Sequence, residues 1–254
     1  MNTQEEEYVT LFCEGDGGVY LNYSNQTKKK YLRVSFSQME RDALDYIASL
    51  TEGGCFHQGR SSGIWHLQFN GSHCVPLLEI FSRHVVGRDF LERLNKVLVF
   101  ADISLTVQHP LTFNGFLGFW DAEGSSSNMP QISVSQKDRE ILNLIATMFG
   151  GNVSPNEKGI HYWVLCGDEA RKLYKTVVEK SHCPGKRERL REDFEGPTQY
   201  EQHKDARKAY SAHYYSEHKE GHRISNAKSS ATQKAIREWI RVHPEEIAKL
   251  REKL

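Results

Sequence analysis

The chain has 254 residues, 38% hydrophobic and 11% aromatic, a globular composition with room for two domains of about 100 residues each plus an extension. Its 33 basic and 33 acidic side chains cancel, so the overall basic charge usual in nucleic-acid binders is absent, and any such surface must come from local runs such as Lys28 to Lys30. No stretch approaches the ~20 apolar residues of a membrane helix, and the acidic start Glu5 to Glu7 is no signal peptide. Five cysteines without a Cys-x-x-Cys pair point to reduced thiols in a cytoplasmic or organellar compartment rather than to secretion.

The first predicted element is an apolar helix ending in VTLFCEGDG (Val9 to Gly17), which runs into a glycine stop. Tyr31 to Ser37 alternates, with Leu32, Val34 and Phe36 on one face and Arg33 and Ser35 on the other: a strand with one buried and one wet side. A helix over Glu40 to Leu50 stops at Gly53-Gly54, the segment Ile64 to Gly71 follows, and an amphipathic helix covers Val75 to Val85. Val99 to Thr112, which contains His109-Pro110, reads as a connector.

The series then returns in the same order. FLGFWDAEG (Phe116 to Gly124) matches the first motif, Val134-Ser-Gln136 matches the stretch ending in Gln38, and Gly150-Gly151 matches Gly53-Gly54. Between them Asp138 to Phe149 carries Ile141, Leu142, Ile145 and Met148 at helical spacing. Ile160 to Gly167 matches Ile64 to Gly71, Asp168 to Val178 is the second amphipathic helix, and His182-Cys-Pro-Gly-Lys186 matches His84-Val-Val-Gly-Arg88. Internal repeats precede any other structural reading. This one predicts residues 8–98 and 113–194 as related halves joined by 99–112. The halves are unequal: Gln38 lies 22 positions after Asp16, Gln136 only 13 after Glu123, so the first hairpin of the second half must be short. From 198 to 254 the chain is basic, rich in His and Tyr and predicted helical, with Pro244 and two acids opening a last helix.

Two apolar helices with small residues in their middles can pack closely, bringing Asp16 and Glu123 out side by side. Carboxylates so placed repel unless a cation lies between them. Hard oxygen ligands suit Mg2+ or Mn2+, and such ions next to phosphate support hydrolysis.

The paired motifs resemble those of the LAGLIDADG homing endonucleases in their single-chain, two-motif form, and the resemblance spans roughly residues 8 to 194. It implies an α+β fold of two tandem pseudo-symmetric αββαββα repeats, whose antiparallel sheets form a DNA-binding saddle, followed by the C-terminal helical extension. It also implies a monomeric endodeoxyribonuclease that makes a staggered break in a long double-stranded site and is encoded by a mobile intron or intein. By position, Asp16 and Glu123 would bind metal, with Gly15 and Ala122 beside them. Gln38 and Gln136 would order water, and Lys186 and Arg88 would stand near the scissile phosphates. The earlier acids Glu14 and Asp121 fall to structural roles. Where the resemblance places a close-packing glycine, the second motif has Gly118 and the first has Leu11, a bulk that must be relieved across the interface.

Strands laid in a major groove read bases through their outward side chains. The candidates are Tyr20, Asn22, Lys28, Lys30, Arg33, Ser35, His66, Gln68, Gln131, Ser133 and Tyr162. Arg33 suits guanine, while Asn22, Gln68 and Gln131 suit adenine. In the extension, Lys208, Arg223 and Lys228 are candidate phosphate contacts, although the segment reads equally as a packing appendage. Its histidines lack zinc-finger spacing. Two other activities fit the same fold: an RNA-splicing maturase that binds intron RNA, and an inactive DNA-binding regulator.

Overall fold

The computed structural model describes residues 1–106, 110–127, 129–156 and 158–197, and beyond these positions 204, 208, 234 and 238. Residues 1–198 form one compact unit and 199–254 a second. Of the second, Lys204, Lys208, Lys234 and Glu238 are described, each helical and exposed. Arg223, Lys228 and the last helix expected from residue 242 lie outside the described residues, as does His109 of the connector.

The first half runs α1 (Thr3–Asp16), β1 (Gly17–Tyr23), β2 (Lys30–Gln38), α2 (Arg41–Leu50), β3 (Cys55–Gln58), β4 (Trp65–Asn70), α3 (Val75–His84) and α4 (Arg88–Ala101). The second repeats it with α5 (Phe113–Glu123), β5 (Gly124–Ser127), β6 (Gln131–Gln136), α6 (Arg139–Phe149), β7 (Asn152–Pro155), β8 (His161–Cys166), α7 (Gly167–Lys180) and α8 (Pro184–Glu195). Each half holds one antiparallel four-stranded sheet, ordered β1-β2-β4-β3 and β5-β6-β8-β7. The α+β repeat architecture agrees with the sequence, with one addition: each half closes on a further helix, α4 or α8. None of the helices among the described residues is long and apolar enough to cross a membrane.

The strand alternation works as the pattern requires. Leu32, Val34 and Phe36 of β2 are buried with Leu67 and Phe69 of β4, so the opposite face must carry Arg33, Ser35, Gln68 and Asn70. Phe36 meets Phe69 and Phe81 edge-on, at 6.2 and 6.4 Å between ring centroids. In the second half Phe116, Phe149 and Trp163 form the equivalent cluster. The first hairpin pairs seven residues of β1 with β2, whereas only four residues of β5 pair with β6.

α1 and α5 pack on each other along their length, and glycine decides how closely. A Cβ on Gly15 would stand 2.6 Å from Ala122 Cβ and 3.0 Å from Glu123 Cγ. One on Gly118 would strike the Tyr8 backbone, 2.9 Å from its carbonyl carbon and 3.0 Å from its Cα. Leu11 does not face Gly118. It lies over Gly115, whose Cβ would be 3.3 Å from Leu11 Cγ. Space is thus supplied by both helices: Gly15 of α1 admits Ala122, Gly118 of α5 admits the Tyr8 backbone, and Leu11 rests on Gly115.

Acids at helix starts also tie each half to the other. Asp138, the N-cap of α6, accepts from Glu140 N at 2.9 Å and, across the interface, from Asp89 N of α4 at 3.2 Å. Glu40, the N-cap of α2, accepts from Gly185 N of α8 at 2.9 Å. These are the orphan amide donors of a helix's first turn, satisfied by anions at its positive end.

Candidate active site at the motif helix ends

Asp16 and Glu123 are the last residues of α1 and α5, and both carboxyls emerge where those two helices end. Their surroundings resist negative charge. Burial raises the Asp16 pKa to about 6, against the pull of Lys186 and of a Gln38 hydrogen bond. Burial and the charge of Asp16 raise Glu123 to about 7, again against Lys186. The negative ends of two helix dipoles point the same way. Such a spot favours positive charge.

Lys186, on the first turn of α8, supplies one ammonium. Its Nζ donates to Ala122 O at 2.7 Å and Trp120 O at 3.2 Å, the end carbonyls of α5. Burial pushes its pKa down while Cys183, Asp121, Asp16 and Glu123 pull it back up. Ala122, a predicted metal neighbour, thus already accepts from a lysine through its carbonyl oxygen, and Gly15 is packed close against Ala122.

Gln38 ends β2 and spans the helix pair: its Nε2 donates to Asp16 Oδ2 at 3.0 Å and to Asp121 O at 3.2 Å. Gln136 repeats only half of this. Its Oε1 accepts from Lys137 N at 2.7 Å, as Gln38 Oε1 does from Met39 N at 2.9 Å, but no hydrogen bond joins it to Glu123 among the described residues. Arg88 is the larger departure. Its guanidinium turns out to Glu92 at 3.5 Å and Glu140 at 3.9 Å and is 68% exposed, so it does not match Lys186. A cleft of about 480 Å³ is lined by Glu123 and Gln136, by the basic Arg93, Lys96 and Lys137, and by the acids Glu14, Asp89, Glu92 and Asp138. Arg93 and Lys96 were missed in the sequence, although their i, i+3 spacing on the polar face of α4 is a readable signal.

The inner acids hold the scaffold. Glu14 accepts from Val86 N and Gly87 N, both at 2.7 Å, at the loop that begins α4, and burial lifts its pKa to about 8 despite those bonds. Asp121 accepts from Tyr8 Oη at 2.9 Å, Ser181 Oγ at 2.5 Å and His182 N at 2.8 Å, and its pKa is raised by burial. It fixes the turn from which Lys186 starts.

Of the candidate base readers, Asn22, Arg33 and Gln68 come together on the first sheet. Tyr20 is 43% exposed on the same sheet. His66 Nδ1 lies 2.8 Å from Ser37 Oγ, and its ring stacks on His57 at 4.8 Å. Ser35 pairs with Gln68 across β2 and β4. Lys28 and Lys30 are exposed at the hairpin end. On the second sheet Ser133 Oγ meets Ser125 Oγ at 2.9 Å, Gln131 Oε1 lies 3.8 Å from Cys166 Sγ, and Tyr162 Oη accepts from Asn156 Nδ2 at 3.2 Å.

Two repeated αββαββα units, each closed by a further helix and joined through acid-tipped helices, have the fold of the single-chain LAGLIDADG homing endonucleases. Among solved structures, the meganuclease I-AabMI bound to uncleaved DNA aligns with a TM-score of 0.56 at 13% identity, over 77% of this chain and 90% of that chain. I-SmaMI bound to uncleaveable DNA gives 0.55 at 12% identity, over 75% and 89%. I-LtrWI bound to target DNA gives 0.53 at 13%, over 70% and 84%. No family model matches the chain, and neither does any curated protein.

Proposed function

We propose that the protein is a site-specific DNA endonuclease that acts as a monomer and makes a staggered double-strand break by divalent-metal-dependent hydrolysis. The observation that carries this reading is the pair of carboxyls, Asp16 and Glu123, brought together at two helix C termini beside Lys186. Two acids with hard oxygens, held where negative charge is unfavourable, fit Mg2+ or Mn2+. Among the described residues no group of three His, Cys, Asp or Glu side chains closes a cage, so water and phosphate would complete the coordination. When bound, the metal supplies an activated water and charge compensation at the leaving oxygen. Gln38 orients Asp16, Lys186 offers an ammonium to a phosphate, and Arg93, Lys96 and Lys137 share a cleft with Glu123. A mobile intron or intein is the genetic setting that matches this activity, and a cytoplasmic or organellar compartment the cellular one.

The test is to incubate the full-length chain with a randomised duplex library and sequence the ends produced. The expected result is one long recurrent site with staggered ends, formed with Mg2+ or Mn2+ and absent in chelator. No recurrent cut under either condition overturns the reading.

A second prediction separates the two basic landmarks. Lys186→Met is expected to slow cleavage by about 10²-fold, the scale of losing one preorganised transition-state donor. Arg88→Ala, which removes an exposed guanidinium bound to Glu92, should change the rate by less than about threefold, in line with the small value of surface ion pairs. Single-turnover rates on the selected site decide between them.

A further inference from the structure

The short segment that leaves β2 holds parts of both halves. Gln38 Nε2 donates to Asp16 Oδ2 and Asp121 O. Two residues later, Glu40 Oε2 accepts from Gly185 N of α8 at 2.9 Å. Glu40 is the N-cap of α2, yet its side chain makes no capping bond to that helix. It serves α8 instead. The N-cap of α8, Cys183, makes no side-chain capping bond, and Pro184 in the first turn carries no N–H. Gly185 N is therefore the first amide donor of α8, and the anion that meets it comes from the other half. The fit is close: a Cβ on Gly185 would strike the carboxylate, 2.7 Å from Glu40 Cδ and 2.9 Å from Oε2.

The next residue is Lys186. Its ammonium is held by Ala122 O and Trp120 O, and the backbone from which it starts is held by Glu40. Among the described residues, the other side-chain bonds of α8 stay within the second half. Asp193 accepts from Ser126 Oγ at 2.6 Å, and Glu195 accepts from Tyr174 Oη. Glu40 thus registers α8 against the half that supplies Asp16.

The mirror contact shows the contrast. Asp138, two residues after Gln136, accepts from Asp89 N of α4 at 3.2 Å, but it also caps its own helix. Arg88, beside Asp89, turns away to Glu92 and Glu140. The same brace ends on a half-buried amine on one side and on an exposed guanidinium on the other.

We infer that Glu40 is a positioning residue for Lys186: by capping α8 across the interface, it sets the ammonium beside Asp16 and Glu123. The inference rests on the nuclease reading proposed above.

The experiment measures single-turnover cleavage of the selected site with Mg2+, and duplex binding in chelator, on the full-length chain. The variants are Glu40→Ala, Glu40→Gln, Gly185→Ala, Lys186→Met, and Glu40→Ala combined with Lys186→Met. Melting curves fix a temperature at which all of them are folded. Glu40→Ala should slow cleavage by about tenfold, within the range that small displacements of a catalytic group can cost, and leave binding unchanged. Glu40→Gln keeps an acceptor oxygen and should stay within about threefold of the parent. Gly185→Ala presses the carboxylate away while Glu40 remains, and should also slow cleavage. Its added carbon meets the end of a flexible side chain, so the fold is spared. In the Lys186→Met background Glu40→Ala should cost nothing more, because residues that act as a unit are not additive. The inference is overturned if neither Glu40→Ala nor Gly185→Ala slows the parent, or if Glu40→Gln is as slow as Glu40→Ala. It is also overturned if Glu40→Ala slows Lys186→Met by its full factor. A parent that cuts no site overturns the nuclease reading itself, and this inference with it.

Discussion

Replacing Asp16 by Asn is expected to reduce cleavage by about 10³-fold or more, leave duplex binding intact, and raise the melting temperature of the metal-free protein above neutral pH. The first effect follows from the proposed role of Asp16 as an anionic ligand of a metal that would supply several kcal/mol of transition-state stabilisation. The last follows from the pKa. In the folded chain Asp16 titrates near 6 rather than at its ordinary 3.8, because burial opposes its charge. The folded state therefore holds a proton that the unfolded state has released, and its stability falls as pH rises from about 4 through about 6. Glu123 adds a fall of the same sign between about 4.5 and 7. Asn has no charge to lose, so the variant escapes its share of this fall and gains most over the parent above pH 6. Cleavage by the parent should run the other way, rising from pH 5 to 8 as both acids ionise and can take a metal. Rates on the selected duplex and melting curves at pH 5 and 8 in chelator test this. Undiminished cleavage, or a variant that melts lower at pH 8, would refute the assignment of Asp16.

The second large effect is steric. Gly118→Ala is expected to destabilise the 1–198 unit by about 3 kcal/mol, the upper end of overpacking costs, which corresponds to roughly 6–12 °C in melting temperature for a unit of this size. The added carbon meets the Tyr8 backbone, which cannot rotate aside as a side chain can, so the helices must separate. Gly115→Ala is the control: its neighbours are Leu11 and Leu111 side-chain atoms at 3.3 Å, which can shift, and a cost near 1 kcal/mol is expected. Because Asp16 and Glu123 stand on the same two helices, Gly118→Ala should also slow cleavage by more than its stability loss explains at temperatures where it remains folded. A melting temperature within about 2 °C of the parent would mean that the helices can part freely there.

Much of this was written in one dimension. The duplicated motif, the strand alternation and the 22-against-13 spacing depend on local periodicity, and they gave the paired helices, the buried sheet faces and the unequal hairpins. What failed to show depends on neighbours distant in sequence. Arg88 occupies the landmark of Lys186, but Glu92 one turn on and Glu140 from the other half draw it outward. Leu11 looked misplaced opposite Gly118 because its true neighbour, Gly115, lies just before the second motif. Asn22, Arg33 and Gln68 read as separate contacts because three strands must pair before they share hydrogen bonds. The final helix of each half escaped for different reasons: α8 is so highly charged that it buries only Leu190 and Phe194, whereas α4 has a clear apolar face, and its pattern was available.

The division of labour between the motif helices also sets which halves can recognise each other. Two copies of the first half would press Tyr8 and Leu11 of one against the same bulky pair of the other, and the helices would be held apart. Two copies of the second would leave the space at Gly115 and Gly118 unfilled. At these two contacts the mixed pair is the complementary one, so the halves expressed as separate pieces are expected to favour heterodimers. The symmetry of the chain survives in its outline, while the contact between its motif helices is unequal on the two sides.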